Sequence, residues 1–363
     1  AQNLLYADAE GNIGYQMPGR IPVRAGGDGR YPAPGWTSEY DWTGYIPFEE
    51  LPYVLNPDSG VIVTANNRIP PFDYAHFVTD DWSYGYRAQR IVDMLAEAPE
   101  KIDIAYIQKM QGDGKDLNAE TLVPLLGDVP LEGKLAERYE LLSAWDLQTN
   151  MDSAPAALFA AYWKNLLALT FNDDLPEDYY PEGGSRWFEV MRNLTQEPDH
   201  FFWDNKETDA VETRDEIFAE AFEMAVKEME KEQGKDPANW NWGELHTATF
   251  RNATLGNSGI ALIENLFNRG PYPTAGGESI VNATGWTTTE SYEVDWLPSM
   301  RMIVDLGDMR NSLTVHTTGE SGHAGHQHYT DMVDMWRNIE YYPMYWNEQA
   351  IVNGAEAHLR LLP

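Results

Sequence analysis

The stretch GVIVTANNRI, residues 60–69, decides how the rest of the chain is read. Its run Val61-Ile62-Val63 has the β-branched, apolar composition of a buried strand. It passes directly into two side-chain amides, Asn66 and Asn67, and then Arg68. A strand predicted here ends in polar groups held at its tip, and two readings follow. An amide so placed can point its N–H2 at a developing oxyanion, a donor whose removal typically costs about 2.7–4 kcal/mol of transition-state stabilisation. Alternatively, an Asn simply caps the turn that follows. Spacing alone does not separate the two.

Upstream of this stretch, residues 1 to 70 read as strand and turn. NLLYAD, EGN and IGYQM form a hairpin-like pattern, followed by the Pro- and Gly-rich connection GDGRYPAPGW. From Tyr86 the period becomes helical: Ile91, Met94 and Leu95 share one face of RAQRIVDMLAEAP before Pro99 stops it. Further helices are expected at IDIAYIQKM, LAERYELLSAW and SAPAALFAAYWKNLLALTF. Between Asp215 and Gly234, DEIFAEAFEMAVKEMEKEQG sets Phe218, Phe222, Ala225 and Met229 on one stripe, the pattern of a core-facing helix. Short strands return at SIVNATGW, SMRMIVDLG and NSLTVHTTG, and a last helix at YTDMVDMWRNI. Strand, helical middle and strand again predict an α+β chain in which distant parts share one sheet, with no linker long enough to separate domains.

Composition narrows the function classes. The 363 residues include 43% hydrophobic and 12% aromatic side chains, a globular balance able to bury a sizeable core. Against 25 basic residues stand 58 acidic ones, a formal net charge of -33, which repels phosphate backbones and anionic lipid and argues against nucleic acid as a partner. The absence of cysteine removes disulfides, thiolate nucleophiles and zinc-thiolate sites. Nowhere do about 18 apolar residues run together, and AQNLLYADAEGNIGY lacks the pattern of a signal peptide, so a soluble chain without a membrane partner is expected.

His316, His323, His326 and His328 lie close together in HTTGESGHAGHQHY, with Glu320 and Asp331 near, and imidazoles so spaced can bind zinc, nickel or copper. The Gly, Ser and Ala between them instead suit a plain loop. No G-x-S-x-G elbow and no phosphate-cradling glycine spacing is present. Three Asn-x-Ser/Thr triplets, at Asn193, Asn252 and Asn282, accept glycans only in a eukaryotic secreted protein.

Five stretches taken in order carry a resemblance: NLLYADAEGNIGYQMPGRIPVR, YDWTGYIPFEELPYVLNPDSGVIVTANNRI, YGYRAQRI, NWGELH, and RMIVDLGDMRNSLTVHTTGESGHAGHQHYTDMVDMW. Together they resemble the β chain of the penicillin acylase family, amide hydrolases whose nucleophile is an amino-terminal serine. The resemblance implies part of an Ntn-hydrolase αββα sandwich over residues 1–363, with strands at about 1–70 and 278–320 and a helical insert region at about 86–250. It implies that Asn66 helps form the oxyanion hole and that Arg87 orders the active centre. It also implies a serine that attacks a small N-acyl amide while its own α-amine acts as base, in a precursor that processes itself in the periplasm or outside the cell.

Where the family pattern begins with that serine, this sequence has Ala1-Gln2-Asn3-Leu4. The expectation is a carboxyl-terminal majority of a β chain, its partners being the α chain and the early part of the β chain, and inactive alone. The family's structural calcium is held partly by an aspartate between the positions of Asn66 and Arg87. Here His76 stands at the aligned place, with Asp73, Asp80 and Asp81 nearby, and Glu320 replaces the family's glutamine before Ser-Gly. No cofactor is expected for catalysis. The competing reading is a non-catalytic, acidic and Trp-rich binding protein of the same architecture.

Overall fold

The computed structural model describes residues 2–99 and 101–362. The chain divides into two compact units, one made of residues up to Val92 with Leu306–Asp308, the other of Asp93–Asp305 with Met309 onward.

In the first unit, strands Leu4–Ala7, Ile13–Gln16 and Tyr53–Leu55 form an antiparallel sheet in that order, with Leu4 opposite Gln16 and Tyr15 opposite Val54. The expected hairpin turn is built on Asp8. Its carboxylate accepts the N–H groups of Glu10 and Asn12, each at 2.9 Å, together with the Asn12 amide and the Tyr6 hydroxyl, while Gly11 takes a φ of 91°. These donors, Asn12 foremost, hold the Asp8 carboxyl down to about 2. A second ladder pairs Pro22–Arg24 with Trp42–Tyr45. Beneath them lies a small core of Tyr15, Met17, Ile21, Ile46 and Leu51, against which Ile62, Ile69, Val78 and Trp82 pack.

The stretch expected to be a buried strand is not one. Residues 61–64 form no strand ladder, Val61 is exposed, and the amides that follow lie at the surface or half-buried. Gly60 (φ 68°) closes a turn onto the carbonyl of Pro57, and Asn66 (φ 63°) reverses the chain at the other end, so the β-branched run is a short bridge between two left-handed residues. Ile62 anchors it to the core.

The second unit is dominated by helices. Helix Ala154–Phe171 starts with the Ser153 hydroxyl accepting the N–H of Ala156 at 3.2 Å, with Pro155 in its first turn, where a missing N–H is harmless. Helix Arg214–Gln233 starts with Glu216 reaching back to the N–H of Thr213 at 2.8 Å and stops at Gly234 (φ 89°). The predicted stripe holds: Phe218, Phe222, Ala225 and Met229 are wholly buried, joined by Ile217 and Ala221. Tyr162 from the first helix stands edge-on between Phe218 and Phe222, ring centroids 6.1 and 5.9 Å away. Helices Tyr86–Ala96, Ile104–Gln111, Lys134–Ser143 and Val333–Arg337 also fall where expected. Leu117–Gly127 and Ser185–Leu194 are additional, the first containing Pro124.

The sheets are smaller than expected. Rather than one sheet shared between distant segments, the described strands form five separate ones. Leu4–Ala7 and its neighbours pair among themselves, and Met300–Ile303 pairs with Leu313–His316, which pairs with Tyr342–Pro343. Of SIVNATGW, only Gly285 and Trp286 enter a strand. Among the described residues no helix is long and apolar enough to cross a membrane.

Candidate active site

Asn66 and Arg87, twenty-one positions apart, meet in the first unit. Arg87 lies in the first turn of helix Tyr86–Ala96, and its Nη2 donates to the side-chain oxygen of Asn66 at 2.8 Å and to the carbonyl of Ala65 at 3.0 Å. A guanidinium only donates, so the atom facing it must be the amide oxygen. That fixes the orientation of Asn66: Oδ1 is held by Arg87, and the Nδ2 hydrogens point elsewhere. Among the described residues Nδ2 has no hydrogen-bond acceptor, and the side chain is exposed.

The backbone around Asn66 is fixed by its neighbours. Its carbonyl accepts the N–H of Ser83 at 3.0 Å, and Asn67 forms a parallel bridge with Ser83. Asn tolerates the left-handed region better than most residues, so the φ of 63° costs little here. The second amide is used differently. Asn67 Oδ1 accepts the N–H of Ala65 at 3.0 Å and its Nδ2 donates to the carbonyl of Arg68 at 3.1 Å. Asn67 is therefore the turn cap, and Asn66 the amide with donors to spare. Arg68 donates to the carbonyls of Pro70 and Pro71 and lies 4.3 Å over the Phe72 ring.

Beside this frame is a cleft of about 340 Å³ with Met17, Ile21, Val78 and Trp82 on its apolar side and Gln2, Asn3, Arg20 and Thr79 on its polar side. Asn3 joins the cleft to the 60–69 bridge, since its Nδ2 donates to the Thr64 hydroxyl at 3.1 Å while its Oδ1 accepts from Tyr15. Trp82 precedes Ser83, which holds Asn66. Chemically, the arrangement offers an amide donor oriented by Arg87, and the cleft is tied to the same bridge through Asn3 and Thr64. Asn3, Thr64 and Ser83 were not singled out as site residues by sequence reasoning, because their roles rest on contacts that no local pattern announces.

The calcium positions behave otherwise. Ca²⁺ takes six to eight oxygens. Here the Asp80 carboxylate sits on the Arg30 guanidinium, which also holds Asp28, and His76 Nε2 is 2.6 Å from Glu50. Among the described residues no three His, Asp or Glu side chains gather as a metal cage. Asp73, His76, Asp80 and Asp81 do not by themselves fit the ion.

The histidines are likewise engaged in their own loop. His328 Nδ1 is 2.6 Å from Asp331 and its Nε2 2.9 Å from Glu356, and these carboxylates, Glu356 first, raise its pKa. His326 and His323 accept the N–H groups of His328 and Gly325, and His316 ends strand Leu313–His316. Asn282, one of the glycan triplets, is buried and accepts from Arg301 at 2.9 Å. In NWGELH, Trp242 and the buried His246 stack at 4.4 Å, and His246 Nδ1 reaches the carbonyl of Tyr292 at 2.7 Å. That motif is a packing station of the second unit.

The fold is found in a solved relative. The thermostable penicillin G acylase from Alcaligenes faecalis superposes with a TM-score of 0.63 at 20% identity, covering 99% of this chain and 67% of that one. The penicillin amidase family model matches residues 1–353, and the chain belongs to that family. It is 30% identical over 374 residues to the acyl-homoserine lactone acylase QuiP of Pseudomonas aeruginosa, covering 93% of this chain and 43% of the relative. It is 28% identical to the penicillin acylase 2 proenzyme of Pseudomonas sp. strain SE83, covering 99% and 46%. A shorter match, 36% over 152 residues, is to the penicillin G acylase of Escherichia coli, covering 40% and 18%. The chain thus spans under half the length of these curated relatives.

Proposed function

We propose that this chain is part of an amide hydrolase acting on small N-acyl amides, with the attacking serine supplied by sequence outside these 363 residues. The observation that carries the reading is the Arg87–Asn66 hydrogen bond, which occupies the Asn66 oxygen and leaves its N–H2 without an acceptor among the described residues. The named relatives, acylases of acyl-homoserine lactones and of penicillins, support an acyl amide as substrate class.

The steps follow from the donor's geometry. Attack of a serine oxygen on the amide carbonyl breaks its π bond and puts negative charge on the carbonyl oxygen. Asn66 Nδ2 donates to that oxyanion, and the donor needs no reorganisation because Arg87 already holds the other end of the amide. The serine's own α-amine takes the hydroxyl proton during attack and passes it to the departing nitrogen, so that collapse expels the amine and leaves an acyl ester, which water then hydrolyses to the carboxylic acid and the free serine. Arg87 acts through Asn66 and is a positioning residue.

The test is kinetic. In an active preparation in which this chain carries Asn66→Ala, kcat should fall by about 10² to 10³ with little change in KM, the signature of a donor used only in the transition state. Unchanged kcat would remove Asn66 from the chemistry.

A further inference from the structure

A second cleft in the first unit, about 480 Å³, is lined by Arg24, Tyr31, Tyr40 and Trp42 along the loop 26–34. Arg24 and Trp42 are cross-strand partners in the ladder of Pro22–Arg24 with Trp42–Tyr45, which puts both side chains at one place on the sheet. The Arg24 guanidinium has no hydrogen-bond acceptor and no ion-pair partner among the described residues, and the residue is half-buried. In a chain with 58 acidic side chains, an unpaired half-buried cation is unexpected. Elsewhere in the first unit Arg30 meets Asp28 and Asp80, Arg68 two carbonyls and Arg87 Asn66, while Arg20 is exposed and lies 5.7 Å from the Tyr45 ring. The one acid among the residues lining the cleft, Asp28, bonds to Arg30, which it shares with Asp80, rather than to Arg24.

The loop over Arg24 is shaped to keep that guanidinium in place. A Cβ on Gly29 (φ 87°) would stand 2.7 Å from Arg24 Nη2 and 2.8 Å from its Cζ, and one on Gly26 would stand 2.9 Å from the carbonyl of Glu39. Gly27 (φ 67°) lies against the Tyr40 ring. At Gly29 only a glycine lets the loop backbone lie against the guanidinium, and Tyr31, Tyr40 and Trp42 border the same cleft.

We propose that this cleft is a binding site for a small carboxylate with a flat, apolar body. Arg24 meets the carboxylate as a planar fork, and the body lies among Tyr31, Tyr40 and Trp42. The site is separate from Asn66 and stands whether or not the amide-hydrolase reading holds.

Benzoate, with neutral benzamide as its counterpart, tests the proposal by ligand-observed NMR titration of the chain. Benzoate should saturate and bind more tightly than benzamide, and Arg24→Gln should weaken benzoate at least about tenfold without moving benzamide. Arg24→Lys, which keeps the charge and loses the fork, should fall between, and far-UV and near-UV circular dichroism should show each variant folded. Should Arg24→Gln fail to fold, weakening of benzoate by added salt in the wild-type chain, with benzamide unaffected, supports the site in its place. Equal binding of benzoate to wild type and Arg24→Gln would overturn the proposal. So would equal affinity for benzamide, or no saturation below about 10 mM, where a specific contact no longer stands out from weak surface association.

Discussion

The two units hold themselves together by different means. In the second, Phe218, Phe222 and Tyr162 are sealed in a wholly buried aromatic and aliphatic core between two long helices. In the first, five buried residues serve a unit whose strands leave Leu4, Leu5, Tyr6, Tyr53 and Leu55 more than half exposed. Its order comes instead from directed hydrogen bonds: Asp8 in its turn, Asn67 in its turn, Arg87 on Asn66. The candidate site is built on this second kind of order. Substitutions in the helical unit should therefore be felt as stability, and those around Asn66 as geometry.

The largest effect expected from this contrast is Phe222→Ala, which empties a wholly buried aromatic position and should cost about 3–5 kcal/mol in urea unfolding. Ile46→Val in the small core should cost only about 0.5–1.5 kcal/mol. Equal losses at the two positions would break the comparison.

Acid should act on the helical unit through two buried groups of opposite sign. Burial lowers His246 to about 4 from its usual 6.5, so the unfolded chain takes up the proton first, and stability is lost as pH falls through that window. Burial raises Asp116 to about 6 from 3.8, so the folded chain takes up that proton first, and stability is gained as pH falls from about 6 towards 3.8. Asp116→Asn keeps an acceptor for the N–H groups of Asn118 and Ala119 while removing the buried charge. It should be at least as stable as wild type at pH 7 and lose stability more steeply below pH 6. A variant markedly weaker at pH 7 would show that the charge itself serves the cap.

The smallest effect is expected at Glu356→Gln, where the groups are exposed. The melting temperature should not move, while the His328 pKa, followed by NMR, should drop towards its ordinary value. An unchanged His328 titration would deny the Glu356 contact.

How far the sequence revealed this molecule varied with the range of the forces involved. The stripe in Arg214–Gln233 was legible because a 3.6 period sustained over 20 residues arises rarely except on a helix that faces a core. Helix Leu117–Gly127 was hidden by Pro124, which local rules take as a break. Val61-Ile62-Val63 misled because β-branched residues favour extended backbone whether or not a neighbouring strand pairs with it, and the left-handed turns at Gly60 and Asn66 left no ladder partner. The amide pair was a candidate oxyanion donor from the start, but only the family resemblance set Asn66 above the cap reading, since spacing alone does not separate the two. The division of labour between Asn66 and Asn67 needed the structure, because it is decided by a guanidinium twenty-one residues away.

Arg87 serves the site by holding Asn66. The most direct measurement is a double-mutant cycle on kcat, comparing Arg87→Lys in the Asn66 and Asn66→Ala backgrounds of an active preparation. If Arg87 works through Asn66, its replacement lowers kcat in the first background and does little in the second, a coupling of about 0.5–3 kcal/mol. If the two losses simply add, Arg87 acts independently of the amide, and the claim is wrong.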